Sequence, residues 1–123
     1  MSKPAPRLHH LALRTPDVSA LVQFYQSWFG FAVLRDARPR AVWLGLAGQS
    51  VLMIEQREPG EPGVPAGSME LVAFHAQAEA RAQLRGRLQA HGLLEAETEH
   101  TLYFRDPDGR RVAISSYPLD ERA

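Results

Sequence analysis

The chain has 123 residues, 45% of them hydrophobic, which is the size and composition of one globular domain with a buried core. Its 14 basic and 14 acidic residues balance, so no charge excess predicts binding to nucleic acid or to an anionic membrane. The absence of cysteine excludes disulfides, thiolate metal sites and a cysteine nucleophile. Residues 1–7 contain no apolar run and no stretch reaches membrane-spanning length, so we expect a soluble, cytoplasmic protein.

The first half of the chain predicts a strand, a helix and three short strands. A strand over residues 8–13 precedes an amphipathic helix, whose apolar residues recur at three- and four-residue spacing over 18–29. Thr15 with Pro16, or alternatively Asp17, can cap the start of this helix. Gly30 is predicted to end it in the left-handed conformation. The three strand candidates that follow are residues 31–35, 40–46 and 49–56.

Residues 57–68 are rich in proline and glycine and are predicted to form a connector. After this connector, the second half of the chain repeats the order of elements predicted for the first half. A strand over 69–75 is followed by a helix over 79–91, with Ala80, Leu84 and Leu88 on one face and Gly92 at its end. The last predicted elements are strands over 93–98, 100–105 and 110–116, with a turn at Asp106-Pro107-Asp108-Gly109.

The order strand, helix and three strands therefore occurs twice, as an internal repeat. The sequence predicts an α+β fold of two tandem βαβββ modules within a single domain spanning 1–123. The first module covers about 7–56, the linker 57–68 and the second module about 69–117.

Three segments carry a resemblance to a known family: His10-Leu11-Ala12-Leu13, the helix end around Phe24-Tyr25 and Trp28-Phe29-Gly30-Phe31, and Tyr103 to Gly109. With the two βαβββ halves, they resemble the vicinal oxygen chelate superfamily. That group includes glyoxalase I, extradiol dioxygenases, fosfomycin-resistance enzymes and bleomycin-binding proteins that do no chemistry. The resemblance implies a cupped mixed sheet with helices on its convex face and a small-molecule ligand or substrate in the cup. It also implies a homodimer.

The period-2 alternation of strands assigns a face to each residue of the predicted sheet. His9 shares the parity of Leu11 and Leu13 and is expected to pack behind the sheet, as are Leu52 and Ile54. The side chains expected to face the cup are His10, Ala12, Arg14, Trp43, Val51, Met53, Glu55, Leu71, Ala73, His75, Thr101, Tyr103, Arg105, Arg111, Ala113 and Ser115.

In metal-dependent members of the resembled family, His or Glu on the first, fourth, fifth and eighth strands hold a divalent ion such as Zn, Ni, Mn or Fe. His10 matches the first of these positions. The fourth position falls on Met53 or, with a shift of two, on Glu55. The fifth-strand position falls on Leu71 and the eighth-strand position on Ala113, and neither side chain can bind a metal. The resemblance thus implies an incomplete site with His10 and Glu55 as its metal ligands.

Three functions stay open. The first is a protein that binds a small, partly apolar molecule without the full metal site, through Trp43, Met53, Leu71, His75, Tyr103, Arg105 and Ala113. The second is a metal-dependent lyase, isomerase or dioxygenase that uses His10 and Glu55 with ligands from His75, His100 or a partner subunit. The third is a metal-free enzyme with His10 as general base and Glu55 orienting it.

Overall fold

The structure, a computed structural model, describes residues 4–119. The chain divides into two compact units, Met1–Gly63 and Val64–Ala123, and the division falls inside the predicted linker. Among the described residues, neither helix has the length and apolar character needed to cross a membrane.

Within residues 4–63, the first unit contains one mixed four-stranded sheet and one α-helix. Its strands lie in the order β1-β4-β3-β2, with β1 parallel to β4 and the other pairs antiparallel. Helix α1 packs on β3 and β4. A short 3-10 turn over Ala47–Gln49 connects β3 to β4. The elements are β1 (His10–Thr15), α1 (Val18–Phe29), β2 (Ala32–Ala37), β3 (Ala41–Gly45) and β4 (Val51–Gln56).

The second unit repeats this arrangement with the strand order β5-β8-β7-β6, in which β5 is parallel to β8. The elements are β5 (Leu71–His75), α2 (Ala78–Ala90), β6 (Ala96–Glu97), β7 (Thr101–Arg105) and β8 (Arg111–Ser115). The predicted α+β fold with two tandem βαβββ modules is therefore confirmed.

Helix α1 is capped at both ends by residues that the sequence singled out. The Asp17 carboxylate accepts a hydrogen bond from the backbone N–H of Ala20 at 3.0 Å, so Asp17 is the N-cap among the two alternatives. Thr15 instead accepts from the backbone N–H of Asp17 at 3.2 Å. Gly30 ends the helix at φ 72°, and its N–H donates to the carbonyl oxygen of Gln26.

The alternation predicted for the strands is also present. Leu52 and Ile54 are fully buried, whereas Val51 and Met53 between them are half-buried. Strands β3 and β7 show the same alternation: every second side chain is buried in the core of its unit, and the side chains between them are half-buried on the opposite face of the sheet. The buried apolar residues are Leu13, Val18, Leu21, Val22, Tyr25, Val42, Leu44, Leu52 and Ile54 in the first unit, and Leu88, Leu102, Phe104, Val112, Ala113 and Ile114 in the second.

Every strand differs from its predicted bounds by one to three residues at one or both ends, and for two strands the structure shows the cause. Strand β1 begins at His10 instead of residue 8, because its parallel partner β4 begins at Val51, opposite His10. Strand β6 has two residues instead of six. The backbone N–H of Leu93 donates to the carbonyl oxygen of Leu88 at 2.8 Å, so Leu93 closes helix α2 and does not enter the sheet. Of the three residues predicted to share one face of that helix, Leu88 is buried, Leu84 is half-buried and Ala80 is exposed.

Candidate functional site

The first unit carries a cavity of about 250 Å³ on the sheet face that bears the half-buried side chains. Three neighbouring strands supply its wall, because β1 pairs with β4 and β4 pairs with β3. The register places His10 opposite Val51 and Trp43 opposite Met53. The lining residues are His9, His10, Trp43, Val51 and Met53. Three predicted site residues, His10, Trp43 and Met53, therefore lie together.

His9 is the lining residue that sequence reasoning misplaced. Its Nδ1 lies 3.0 Å from the Nδ1 of His10, and the two rings meet edge to face at 82°. Two ring nitrogens at this distance form a hydrogen bond, in which one nitrogen donates its proton and the other accepts. His9 was expected to pack behind the sheet with Leu11 and Leu13, but the strand begins only at His10. The alternation of faces does not extend to a residue outside the strand.

Glu55, the other candidate ligand of a metal in this unit, lies away from the cavity. It pairs with Arg14 across β1 and β4, four residues beyond Val51. That offset corresponds to about 13 Å along the strands, at the usual rise of about 3.3 Å per residue. The Glu55 carboxylate instead accepts a hydrogen bond from Arg14 at 3.0 Å. His10 and Glu55 are therefore too far apart in the sheet to hold one ion together or for Glu55 to orient His10.

Arg14 is the centre of an ion-pair network beside a separate depression of about 400 Å³. Its Nε and one terminal nitrogen donate to both oxygens of Glu61, at 2.9 and 2.8 Å, while the other terminal nitrogen donates to Glu55. The hydrogen bonds from Arg14 lower the pKa of Glu61 to about 2. The depression is lined by Arg14, Arg40, Ala41, Glu55, Gln56 and Glu58.

This network predicts a loss of stability in acid. A carboxyl whose pKa is lowered by folding stabilises the native state above its unfolded pKa, and this contribution disappears as the pH falls through the folded value. For Glu61 the interval runs from the ordinary 4.5 down to about 2. NMR titration of the Glu61 carboxyl carbon should give a midpoint near the lower value, and Arg14→Gln should move it towards the upper one. Arg40→Gln removes the same charge from a side chain that does not bond Glu61, so an equal movement in that variant would contradict the assignment.

In the second unit, three of the predicted ligand-binding residues lie on β5 and β8. Leu71 and His75 are exposed, and they lie opposite Arg111 and Ser115 in the register. Ala113 is fully buried between Ala73 and Tyr103, its partners on the two neighbouring strands. Ala113 therefore supplies no surface to a ligand in this arrangement.

The other two predicted residues lie on β7. Tyr103 is half-buried, and the guanidinium carbon of Arg111 lies 4.2 Å from the centre of its ring. Arg105 was predicted to be a polar residue that binds the ligand. Its donors, however, are directed at the protein: Glu95 at 2.8 Å, and the carbonyl oxygens of Ser68 at 2.7 Å and Gly109 at 3.1 Å.

The donor set does not fit a family-type metal centre. Within residues 4–119, no three His, Asp or Glu side chains are close enough to hold one ion. The fifth- and eighth-strand positions carry Leu71, a hydrocarbon, and Ala113, a buried methyl group. Met53, which lies two residues nearer to the His10 position than Glu55, offers only a weakly coordinating thioether.

Comparison with known proteins agrees with this fold. Residues 7–114 match the family model of the Glyoxalase/Bleomycin resistance protein/Dioxygenase superfamily. The chain is 28% identical over 123 residues to the virulence protein STM3117 of Salmonella typhimurium. The aligned region covers 90% of this chain and 84% of that protein.

Two solved structures have similar folds at low sequence identity. The fosfomycin resistance protein FosX of Listeria monocytogenes superposes with a TM-score of 0.79 at 18% identity, covering 95% of each chain. Lactoylglutathione lyase of Agrobacterium tumefaciens superposes with a TM-score of 0.71 at 21% identity, covering 92% of this chain and 95% of that one. The match to the family model over 7–114 decides the assignment. This chain belongs to the Glyoxalase/Bleomycin resistance protein/Dioxygenase superfamily.

Proposed function

We propose that this protein binds a small, partly aromatic molecule in the cavity around His10, and that it does so without the complete metal site of its family. The observation that carries the proposal is the composition of the cavity wall. Trp43, Val51 and Met53 supply an apolar surface, and two imidazoles supply the polar groups. An apolar cavity with a few placed polar groups is the usual form of a small-molecule site. The superfamily alone does not choose a function, because one scaffold serves many.

The size of the cavity limits the ligand. At about 250 Å³ it is slightly smaller than the pockets that hold drug-sized molecules, which start at roughly 300 Å³. One ring or a fused pair of rings fits such a volume. Trp43 provides a face for stacking, and its indole is itself restrained by Arg35, whose guanidinium carbon lies 5.2 Å from the ring centre.

The histidine pair defines the polar end of the ligand. When both rings are neutral, the ring that donates through Nδ1 has an accepting Nε2, and the ring that accepts through Nδ1 has a donating Nε2–H. Neither Nε2 atom has a hydrogen-bond partner within residues 4–119. The pair therefore offers one acceptor and one donor, a combination suited to a hydroxyl or carbonyl group on the ring.

A titration with 2-naphthol, which has a fused ring pair and one hydroxyl, tests the proposal. The chain has two tryptophans, Trp43 in the cavity and Trp28 in helix α1. We expect the indole N–H signal of Trp43 to shift on titration and that of Trp28 to stay in place, with Trp28→Phe assigning the two signals. His10→Ala should weaken binding about fivefold, as expected for one neutral hydrogen bond. The matched control is His91→Ala, since His91 lies at the end of α2 in the other unit.

Two results would overturn the proposal. One is the absence of any Trp43 shift at millimolar 2-naphthol. The other is a stoichiometric divalent metal in the purified, untagged protein that is lost in His10→Ala, because this would favour the metal-dependent alternative.

A further inference from the structure

The second unit carries an unbalanced positive charge on the sheet face that bears Tyr103. Arg105 on β7 and Arg111 on β8 lie directly opposite each other in the antiparallel register. Like charges at such positions repel, so a stable pair needs a counter-charge. Glu95 supplies one: its Oε2 accepts from the Nε of Arg105 at 2.8 Å and its Oε1 from the Nε of Arg111 at 3.2 Å. Because one carboxylate balances only one of the two guanidinium groups, this cluster keeps a net charge of one positive unit.

The two arginines are not equivalent. One terminal nitrogen of Arg105 donates to the carbonyl oxygens of both Ser68 and Gly109, and the other makes a long contact of 3.9 Å to the sulfur of Met69. These contacts join β7 to the segment before β5 and to the turn before β8, which is a structural role. Arg105 therefore cannot offer two unengaged terminal nitrogens to a ligand.

Arg111 has its terminal nitrogens available. Its Nε is held by Glu95, and its guanidinium carbon lies over the Tyr103 ring at 4.2 Å. Within residues 4–119, neither terminal nitrogen of Arg111 has a hydrogen-bond partner. The side chain is only 15% exposed, so the group is held in place instead of moving freely in water. A guanidinium fixed at Nε and over a ring presents its terminal edge in one orientation, which favours binding of two oxygens at once.

We propose that Arg111 is the centre of an anion-binding site on the second unit, which takes the carboxylate or phosphonate group of a small aromatic molecule. Two oxygens of the anion accept from the terminal nitrogens of Arg111, and Tyr103 and the exposed Leu71, opposite Arg111 on β5, provide apolar surface beside them. The site goes beyond the proposed cavity of the first unit and does not depend on it.

Three probes that share one ring test this site: benzoate, phenylphosphonate and the neutral benzamide. We expect the two anions to shift the Nε–H signal of Arg111 in the NMR spectrum, and benzamide to leave it in place. The relative affinity of the anions shows whether a planar carboxylate or a tetrahedral phosphonate is preferred. Arg111→Gln should weaken anion binding at least tenfold, and Arg111→Lys should fall between, because it keeps the charge but loses the paired geometry.

The matched control is Arg40→Gln, which removes the same charge from an exposed position in the first unit. Equal losses in Arg40→Gln and Arg111→Gln would overturn the proposal in favour of diffuse electrostatic attraction. Benzamide binding as tightly as benzoate would overturn it in favour of ring contacts alone. Unchanged backbone amide spectra and an unchanged Trp43 response to 2-naphthol in Arg111→Gln show that the variant is folded, and they keep this test separate from that of the cavity.

Discussion

Replacing Asp106 with alanine is expected to lower the free energy of unfolding of the second unit by about 3 kcal/mol. The Asp106 side chain is fully buried at the turn between β7 and β8. It accepts hydrogen bonds from the backbone N–H groups of Asp108 at 2.9 Å and Arg110 at 3.0 Å, and from the Arg110 guanidinium at 2.7 Å. The alanine leaves two amides without their acceptor and a largely buried guanidinium without its closest carboxylate.

Asp106→Asn is the informative comparison. It keeps one oxygen for the two amides but turns an NH₂ group towards Arg110, so we expect a smaller loss of roughly 2 kcal/mol. Because a chain of two units need not unfold in one step, hydrogen exchange is the suitable measurement. Amides of Phe104 and Ile114 should exchange faster in Asp106→Ala, and those of Leu52 in the first unit should not. A loss below about 1 kcal/mol in the second unit would show that the turn does not depend on this carboxylate.

The pattern of elements could be predicted from the sequence because local signals and the repeat agreed. Apolar spacing and the Asp17 and Gly30 caps gave helix α1, and alternation gave the buried faces of the strands. Strand ends were less predictable, since they depend on partners that are distant in sequence. Strand β1 begins where its partner β4 begins, and the predicted sixth strand lost Leu93 to the end of helix α2.

The candidate site could be predicted only in part, for a related reason. Parity indicated that His10, Trp43 and Met53 share a face, and the register brings them to one cavity. Parity alone does not report distance along a strand, so it grouped His10 with Glu55. It also does not report which hydrogen bonds a long side chain makes. Arg105 was therefore chosen as a ligand-binding residue, although of the two arginines paired across β7 and β8 it is Arg111 whose terminal nitrogens have no hydrogen-bond partner within residues 4–119. Parity had placed Arg111 on the same face as Arg105, so the face was predicted but the hydrogen-bond partners of the two guanidinium groups were not.

Two neighbouring residues of β4 should differ sharply in their contribution to stability. Leu52 is fully buried in the core of the first unit, whereas Met53 is half-buried and lines the cavity on the other face. Leu52→Ala should lower the free energy of unfolding by about 3 kcal/mol, through lost burial and the void left behind. Met53→Ala leaves no enclosed void and should cost about 1 kcal/mol or less.

Binding should show the reverse order, which makes the pair of variants a test of the sheet register itself. Met53→Ala removes part of the cavity wall and should weaken 2-naphthol binding, while Leu52→Val, which keeps a branched side chain in the core, should leave it unchanged. Side chains alternate with a period of two, so a slip of β4 by one residue would exchange the two roles. A large stability loss in Met53→Ala with little in Leu52→Ala would therefore contradict the pairing of His10 with Val51, and with it the cavity on which the proposed function depends.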